Sequence, residues 1–203
     1  MGRELRVADD ALVGKLLALI DDGSDVLELG CGGGSPAMQA LAERHQVHGV
    51  DISPRQLERA RDRVPGATFE CADATTLELE AASFDAIVTL YMLGHVPRAE
   101  QGPFLASIAS WLRDGAYLLA TMGTGGADDE VDADWLGAPM FFASFDEAGN
   151  RRMLADAGFD LVESKVIPIE EPGHGLVSFM WVLARKSQAG RRRAAAARRR
   201  PDP

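Results

Sequence analysis

The 203-residue chain has only two cysteines, Cys31 and Cys71. That is too few for a disulfide framework, and their spacing does not suggest a metal site, so none is expected. No apolar run is long enough for a membrane-spanning helix, and the N-terminus lacks the basic-then-apolar pattern of a signal segment. A reducing cytoplasm is the expected setting, with no membrane partner. Internal repeats are absent. Basic charge is scarce as well: the formal net charge is −10. The tail at 187–203 holds six arginines (Arg191–Arg193 and Arg198–Arg200) and one aspartate, leaving 15 basic and 30 acidic residues before it, a net of −15. A body that acidic disfavours a nucleic-acid backbone as partner. The Arg/Ala tail reads as a solvated, disordered extension, with contact to RNA or an anionic surface as the alternative. What remains, 46% hydrophobic and 26% charged overall, suits one globular domain over 1–186.

That domain is organised around Val26-Leu27-Glu28-Leu29-Gly30-Cys31-Gly32-Gly33-Gly34-Ser35-Pro36. Val26, Leu27 and Leu29 read as a short buried strand. Gly30 to Gly34 permit positive φ and close backbone approach. Ser35 and Pro36 suit the cap and first turn of a helix. A strand, a glycine turn and a helix start together form a site for a nucleotide-like ligand. Two familiar versions fail. The dinucleotide pattern G-x-G-x-x-G/A finds Ser35 at its third position, and no lysine follows the glycines as a phosphate-binding loop needs.

The next elements alternate. Gln46 to Asp51 reads as a second strand, Ser53 and Pro54 open a helix to about Arg63, and Ala67 to Ala72 is a third strand followed by Asp73. This is βαβ, so a parallel sheet is expected. Asp51 lies at the tip of the strand beside the glycine turn, where a carboxylate can accept from both ribose hydroxyls of a nucleoside. His45 and His48 flank the second strand and read as structural.

Glu28-x-Gly30-x-Gly32-x-Gly34 resembles the first motif of the class I S-adenosylmethionine-dependent methyltransferases. Phe84-Asp85-Ala86-Ile87-Val88-Thr89-Leu90-Tyr91-Met92-Leu93-Gly94-His95-Val96-Pro97 resembles the fourth-strand motif of their small-molecule, ubiquinone-biosynthesis-type members. The resemblance spans roughly Leu5 to Lys186. It implies S-adenosyl-L-methionine as cofactor and a small-molecule methyl acceptor. It implies a Rossmann-like α/β fold with seven mostly parallel strands, the last antiparallel, and helices on both faces. Carried over residue by residue, it places Glu28, Gly30, Cys31, Gly32 and Gly34 at the cofactor turn. Asp51 would take the ribose, with Ile52 against the adenine. Asp73 would accept from the adenine amino group, Ala74 would offer a backbone N–H, and Leu90 would complete the cofactor wall.

The expected elements around these motifs are a helix from Leu5 to Ile20 with Leu12, Leu16, Leu19 and Ile20 near one face, and a helix from Pro36 to Arg44. Further on come a strand at Ser83 to Thr89, a helix at Arg98 to Arg113 and a strand at Gly115 to Met122. A helix from Phe145 to Ala157, closed by Gly158, leads to a hairpin of Phe159–Ile169 and Leu176–Arg185. The stretch from Gly123 to Ser144 shows little periodicity and reads as a long loop on the substrate side. Its aromatics Trp135, Phe141 and Phe142, with Tyr91 and Met92, are the candidate acceptor-binding residues. The candidate bases are His95, after the fourth strand, and His174, on the late hairpin turn.

Methyl transfer from a sulfonium needs mainly alignment and, for a hydroxyl or amine, proton uptake, so a strong catalytic motif is not required. The chain lacks the Asn/Asp-Pro-Pro-Tyr/Phe run of amino-methylating nucleic-acid enzymes, which has Thr89-Leu90-Tyr91-Met92 in its place. It also lacks a Pro-Cys nucleophile, and Thr89 stands where metal-dependent catechol-type enzymes carry an acid. Two alternatives stay open: an RNA or protein methyltransferase guided by the tail, and a non-catalytic cofactor-binding module. The acceptor atom (O, N or C) and the oligomeric state are not legible.

Overall fold

The computed structural model describes residues 7–135, 137–171 and 175–188. Leu5, His174 and the tail arginines of the sequence reading lie outside the described residues. The described elements run α1 (Val7–Leu19), β1 (Asp25–Leu29), α2 (Pro36–Ala42), β2 (Gln46–Asp51), α3 (Pro54–Arg63), β3 (Thr68–Cys71), β4 (Phe84–Thr89) and α4 (Arg98–Trp111). They continue as β5 (Leu112–Gly123), β6 (Glu130–Trp135), β7 (Ala138–Phe142), α5 (Glu147–Asp156), β8 (Phe159–Glu171) and β9 (Gly175–Lys186).

Seven strands form one sheet in the order β3-β2-β1-β4-β5-β9-β8. The first five pair in parallel, and β9 inserts antiparallel between β5 and β8. This is the expected sheet. Its order reverses at β1, which sends β2 and β3 to one side and β4 and β5 to the other. In open α/β sheets the crevice at the carboxyl ends of such a switch point is where ligands bind.

The strands are apolar on both faces because helices cover both. Val26, Ala86, Val88, Leu119, Trp181 and Leu183 face a core shared with Leu12 and Leu16 of α1, Met38 and Leu41 of α2 and Leu57 of α3. Alternate residues Leu27, Ile87, Leu118, Ala120 and Val182 face a second core with Phe104, Leu105 and Ile108 of α4 and Leu154 of α5. The period-two alternation divides each strand between two cores. On α1 the expected stripe is shifted: Leu12, Val13, Leu16 and Ile20 are buried, but Leu19 is 40% exposed.

Local capping follows the sequence. Ser35 Oγ accepts from Met38 N at 3.0 Å and Ser53 Oγ from Gln56 N at 3.4 Å, each with Pro in the first turn. Asp146 caps α5 by accepting from Gly149 N at 2.6 Å, so that helix begins at Glu147 rather than Phe145. The main departure lies between Gly123 and Ser144. The expected loop holds a two-stranded sheet of its own, β6 against β7, with Glu130 opposite Phe142 and Trp135 opposite Ala138. Glu130–Trp135 does alternate, with Val131, Ala133 and Trp135 between three acids, but the run is short and β7 is apolar throughout without alternation, so the pair reads as loop in the sequence.

Candidate functional site

The glycine turn folds back onto β2. Gly30 N and Cys31 N both donate to Val50 O, at 2.8 and 3.0 Å. Gly30, Gly32 and Gly34 all have positive φ, which explains their alternate spacing. At Gly30 there is a second reason: a Cβ would lie 2.7 Å from both Cβ and Cγ of Met92. The bare turn is thus a close approach between β1 and the segment after β4.

Asp51 is held rather than loose. Its Oδ2 accepts from Gly32 N and its Oδ1 from Ser53 N, both at 2.8 Å. Two backbone donors fix the plane of the carboxylate and leave each oxygen an unused lone pair. Asp73 is built similarly at the end of β3. Its Oδ1 accepts from the N–H and the hydroxyl of Thr75, at 2.9 and 2.7 Å, which caps the short turn at Ala74–Thr76.

These groups open onto one cavity of about 600 Å³. Gly30, Asp51, Ile52, Asp73, Ala74 and Leu90 line it, as do Tyr91, Met92 and His95. Ile52 presents its side chain at 70% exposure, a bare apolar surface at the cavity edge. Ser53, Gln56, Thr75, Glu100 and Met140 also contribute. Ser53 enters the sequence reading only as a helix start, and Gln56, Thr75, Glu100 and Met140 carry no signal there.

Glu28, Cys31, Gly32 and Gly34 are not on this wall. Glu28 is 1% exposed beneath the turn. One oxygen accepts from Ser35 Oγ at 2.9 Å and the other, Oε2, has no hydrogen-bond partner. Burial raises its pKa to about 8, a shift that the Ser35 hydroxyl only partly opposes. Cys31 is buried in the α1–α3 core, and burial with the nearby Glu28 and Asp51 carboxylates raises its thiol pKa. Gly34 packs on α3, where a Cβ would meet Val64 and Ala60 at 3.1 and 3.3 Å.

Tyr91 sits at the end of β4 with φ +59°, a left-handed conformation uncommon for a bulky residue. Its N–H donates to the buried Thr121 Oγ1 at 2.5 Å, and its ring meets Phe179 and Trp181 edge-on at 5.0 and 5.8 Å. His95 follows on a short helical turn. Its Nδ1 is 2.8 Å from Phe141 O. A carbonyl only accepts, so Nδ1 carries the proton, and the neutral ring keeps its lone pair at Nε2. That arrangement suits proton uptake.

The five candidate acceptor residues do not converge. Tyr91 and Met92 line the cavity just described. Trp135 and Phe142 line a second cavity of about 620 Å³, between the β6–β7 hairpin and the ends of β5 and β9. Phe141 lines neither, and its contact with the site is the carbonyl that orients His95. Among the described residues no group of three or more His, Cys, Asp or Glu side chains is placed to hold a metal, and no helix is long and apolar enough to cross a membrane.

Residues 26–115 match the family model described as a methyltransferase domain. A 27-O-demethylrifamycin SV methyltransferase of Amycolatopsis mediterranei (strain S699) is 39% identical over 103 residues, covering 47% of this chain and 37% of that protein. The chain therefore spans well under half the length of this curated relative. Among solved structures, an S-adenosylmethionine-dependent methyltransferase of Methanosarcina mazei superposes with TM-score 0.74 at 19% identity, over 91% of this chain and 99% of the other. The 1,6-didemethyltoxoflavin-N1-methyltransferase of Burkholderia thailandensis, solved with 1,6-didemethyltoxoflavin and S-adenosylhomocysteine bound, superposes with TM-score 0.67 at 24% identity, over 90% and 79%. At these identities the two structures establish the fold.

Proposed function

We propose that the chain transfers a methyl group from S-adenosylmethionine to a small-molecule acceptor, a reading supported by the match of residues 26–115 to a methyltransferase domain model. The observation that carries this reading is the Asp51 carboxylate, held in plane by Gly32 N and Ser53 N on the cavity wall. A pair of adjacent hydroxyls on a ribose matches its two unused lone pairs. Asp73, whose Oδ1 is already occupied by Thr75, presents Oδ2 for an amino group. Ile52 supplies an apolar face for a purine, and the glycine turn admits the methionine part without steric conflict.

When bound, S-adenosylmethionine supplies an electrophilic methyl on a positively charged sulfur. The chain's own residues do the rest. Met92 and Tyr91 wall the same cavity, with Met92 against Gly30. His95, with Nδ1 committed to Phe141 O, takes up at Nε2 the proton released by a hydroxyl or amine acceptor. The relatives are named for an O-demethylated and an N1 acceptor. Which atom is methylated here depends on the acceptor, not on the cofactor wall. The two free cysteines suit a cytoplasmic setting, and the acidic body suits a small molecule better than a nucleic acid.

Titration calorimetry with S-adenosylmethionine and S-adenosylhomocysteine tests this. We expect binding by the wild-type chain and a loss of about 100-fold in Asp51→Ala, since each charged hydrogen bond contributes about 1.5–3 kcal/mol. Asp73→Ala weakens binding less. Unchanged affinity in both variants overturns the reading. Tight binding with no turnover on any acceptor makes the chain a binding module instead.

A further inference from the structure

We propose that the cavity of about 620 Å³ under the β6–β7 hairpin anchors the body of the methyl acceptor, and that it takes a bulky, largely apolar molecule carrying no anionic group. The proposal rests on the methyl-transfer reading only for calling the occupant the acceptor. The cavity's chemistry is independent of it.

This cavity is additional to the one that fits the cofactor, and the two share no lining residue. They adjoin, however. Gly94 lines one and His95 the other, while Met140 and Phe142, two apart on β7, are divided in the same way. A molecule seated under the hairpin thus lies beside the candidate base. A volume of this size accommodates a drug-sized ligand, for which pockets run from about 300 to 1,000 Å³.

The walls are aromatic. Trp135 and Phe142 meet edge to face at 4.7 Å and 67°. Phe179 stands on the β9 side and packs on Tyr91, which itself lines the neighbouring cavity. The hydroxyls of Thr124 and Ser144 are engaged within the wall. Thr124 Oγ1 donates to Ser178 O at 3.0 Å, and Ser144 Oγ accepts from Ala127 N at 3.1 Å.

The rim points the same way. Val131 of the hairpin is 64% exposed and Leu176 of β9 is 73% exposed, and both line this cavity. Large aliphatic side chains left in water at the lip of a cavity mark a surface that an apolar ligand covers. Among the described residues of the lining the charged side chains are Glu130 and Asp132, both acidic, and none is Lys, Arg or His. An acceptor with a carboxylate or phosphate would meet the like charge of Glu130, with no cation among the described lining residues to pair it.

Three size-matched probes test the proposal on the full chain: 2-naphthalenemethanol, 2-naphthylmethylammonium and 2-naphthoate, measured by equilibrium dialysis. We expect the alcohol and the ammonium to bind about tenfold or more tighter than the carboxylate. The double variant Val131→Arg/Leu176→Arg changes two exposed rim positions, so it folds. S-adenosylhomocysteine affinity within about twofold of wild type reports that the cofactor wall is intact. In that variant the alcohol weakens by about tenfold and the order of alcohol and carboxylate reverses. Equal binding of carboxylate and alcohol to wild type, or alcohol binding unchanged by the double variant, overturns the proposal. A wild-type chain that binds the alcohol but not S-adenosylhomocysteine leaves the cavity standing and overturns its assignment to a methyl acceptor.

Discussion

The two walls of the site are built in opposite ways. The wall proposed for the cofactor comes from segments between β1 and the turn after β3, joined by Leu90 after β4, and backbone donors hold its polar groups: Gly32 N and Ser53 N on Asp51, Thr75 N on Asp73. The wall proposed for the acceptor is a hairpin whose residues are exposed or half-buried and none fully buried. A few long-range ties hold it: Arg98 to Asp128 and Asp129, Ala143 N to Gly94 O at 2.8 Å, and His95 to Phe141 O. The first wall is preorganised for one ligand, because moving any of its groups breaks strand or turn hydrogen bonds. The second contributes little to the cores, so its side chains can change without endangering the fold.

The largest expected effect separates the walls by packing alone. Gly30 and Gly126 both have positive φ, +70° and +67°, but a Cβ meets Met92 at 2.7 Å at the first and open space at the second. Gly30→Val should cost about 3–5 kcal/mol from strain plus overlap, and Gly126→Val only about 1–2 kcal/mol from strain. Urea melts of both variants check this, and equal costs would erase the distinction.

Next in size is the buried acid under the cofactor wall. Burial holds the folded pKa of Glu28 at about 8, against its ordinary value of 4.5. Below the lower value it is protonated in both folded and unfolded chains. As pH rises between the two, the unfolded chain alone loses the proton, so stability falls until the folded group also ionises. The full loss is on the order of 4 kcal/mol. Glu28→Gln removes the slope, so its melts at about pH 5 and about pH 9 should agree where wild type differs. An unchanged slope would place the titration elsewhere.

His95→Asn tests the junction of the walls. It should lower kcat about 100-fold for a hydroxyl or amine acceptor and leave S-adenosylhomocysteine affinity alone. A drop in cofactor affinity instead would make His95 part of the first wall. The smallest effect belongs to Arg98→Ala. Its pair with Asp128 is exposed on the Asp128 side, so global stability should move by under about 1 kcal/mol. Hydrogen exchange should nevertheless speed up across β6 and β7 while β1 and β2 stay protected. Faster exchange in both regions would show that the walls are coupled.

Much of the first wall was legible from residue types and spacing, and little of the second was. Gly30, Asp51, Ile52, Asp73, Ala74 and Leu90 come together as their motif positions implied. Glu28 and Cys31 did not, because alternation along β1 and the turn sends both side chains away from the cavity into the packing below it. The β6–β7 hairpin escaped notice because its alternation is confined to the six residues of β6 and its partner β7 is apolar throughout. The division of Tyr91 and Met92 from Trp135 and Phe142 escaped because it depends on where β9 and the hairpin lie.

By itself the sequence determined the features set by near neighbours: the serine caps, the prolines of the first turns, the positive-φ glycines and the alternating strands. Each of these depends on dihedral preference or on contacts within a few residues. The tertiary structure alone decided the insertion of β9 between β5 and β8, the second cavity, the carbonyl that orients His95 and the unpartnered oxygen of Glu28. These arise from pairings between residues far apart in the chain, where burial and register, not local propensity, choose which groups meet.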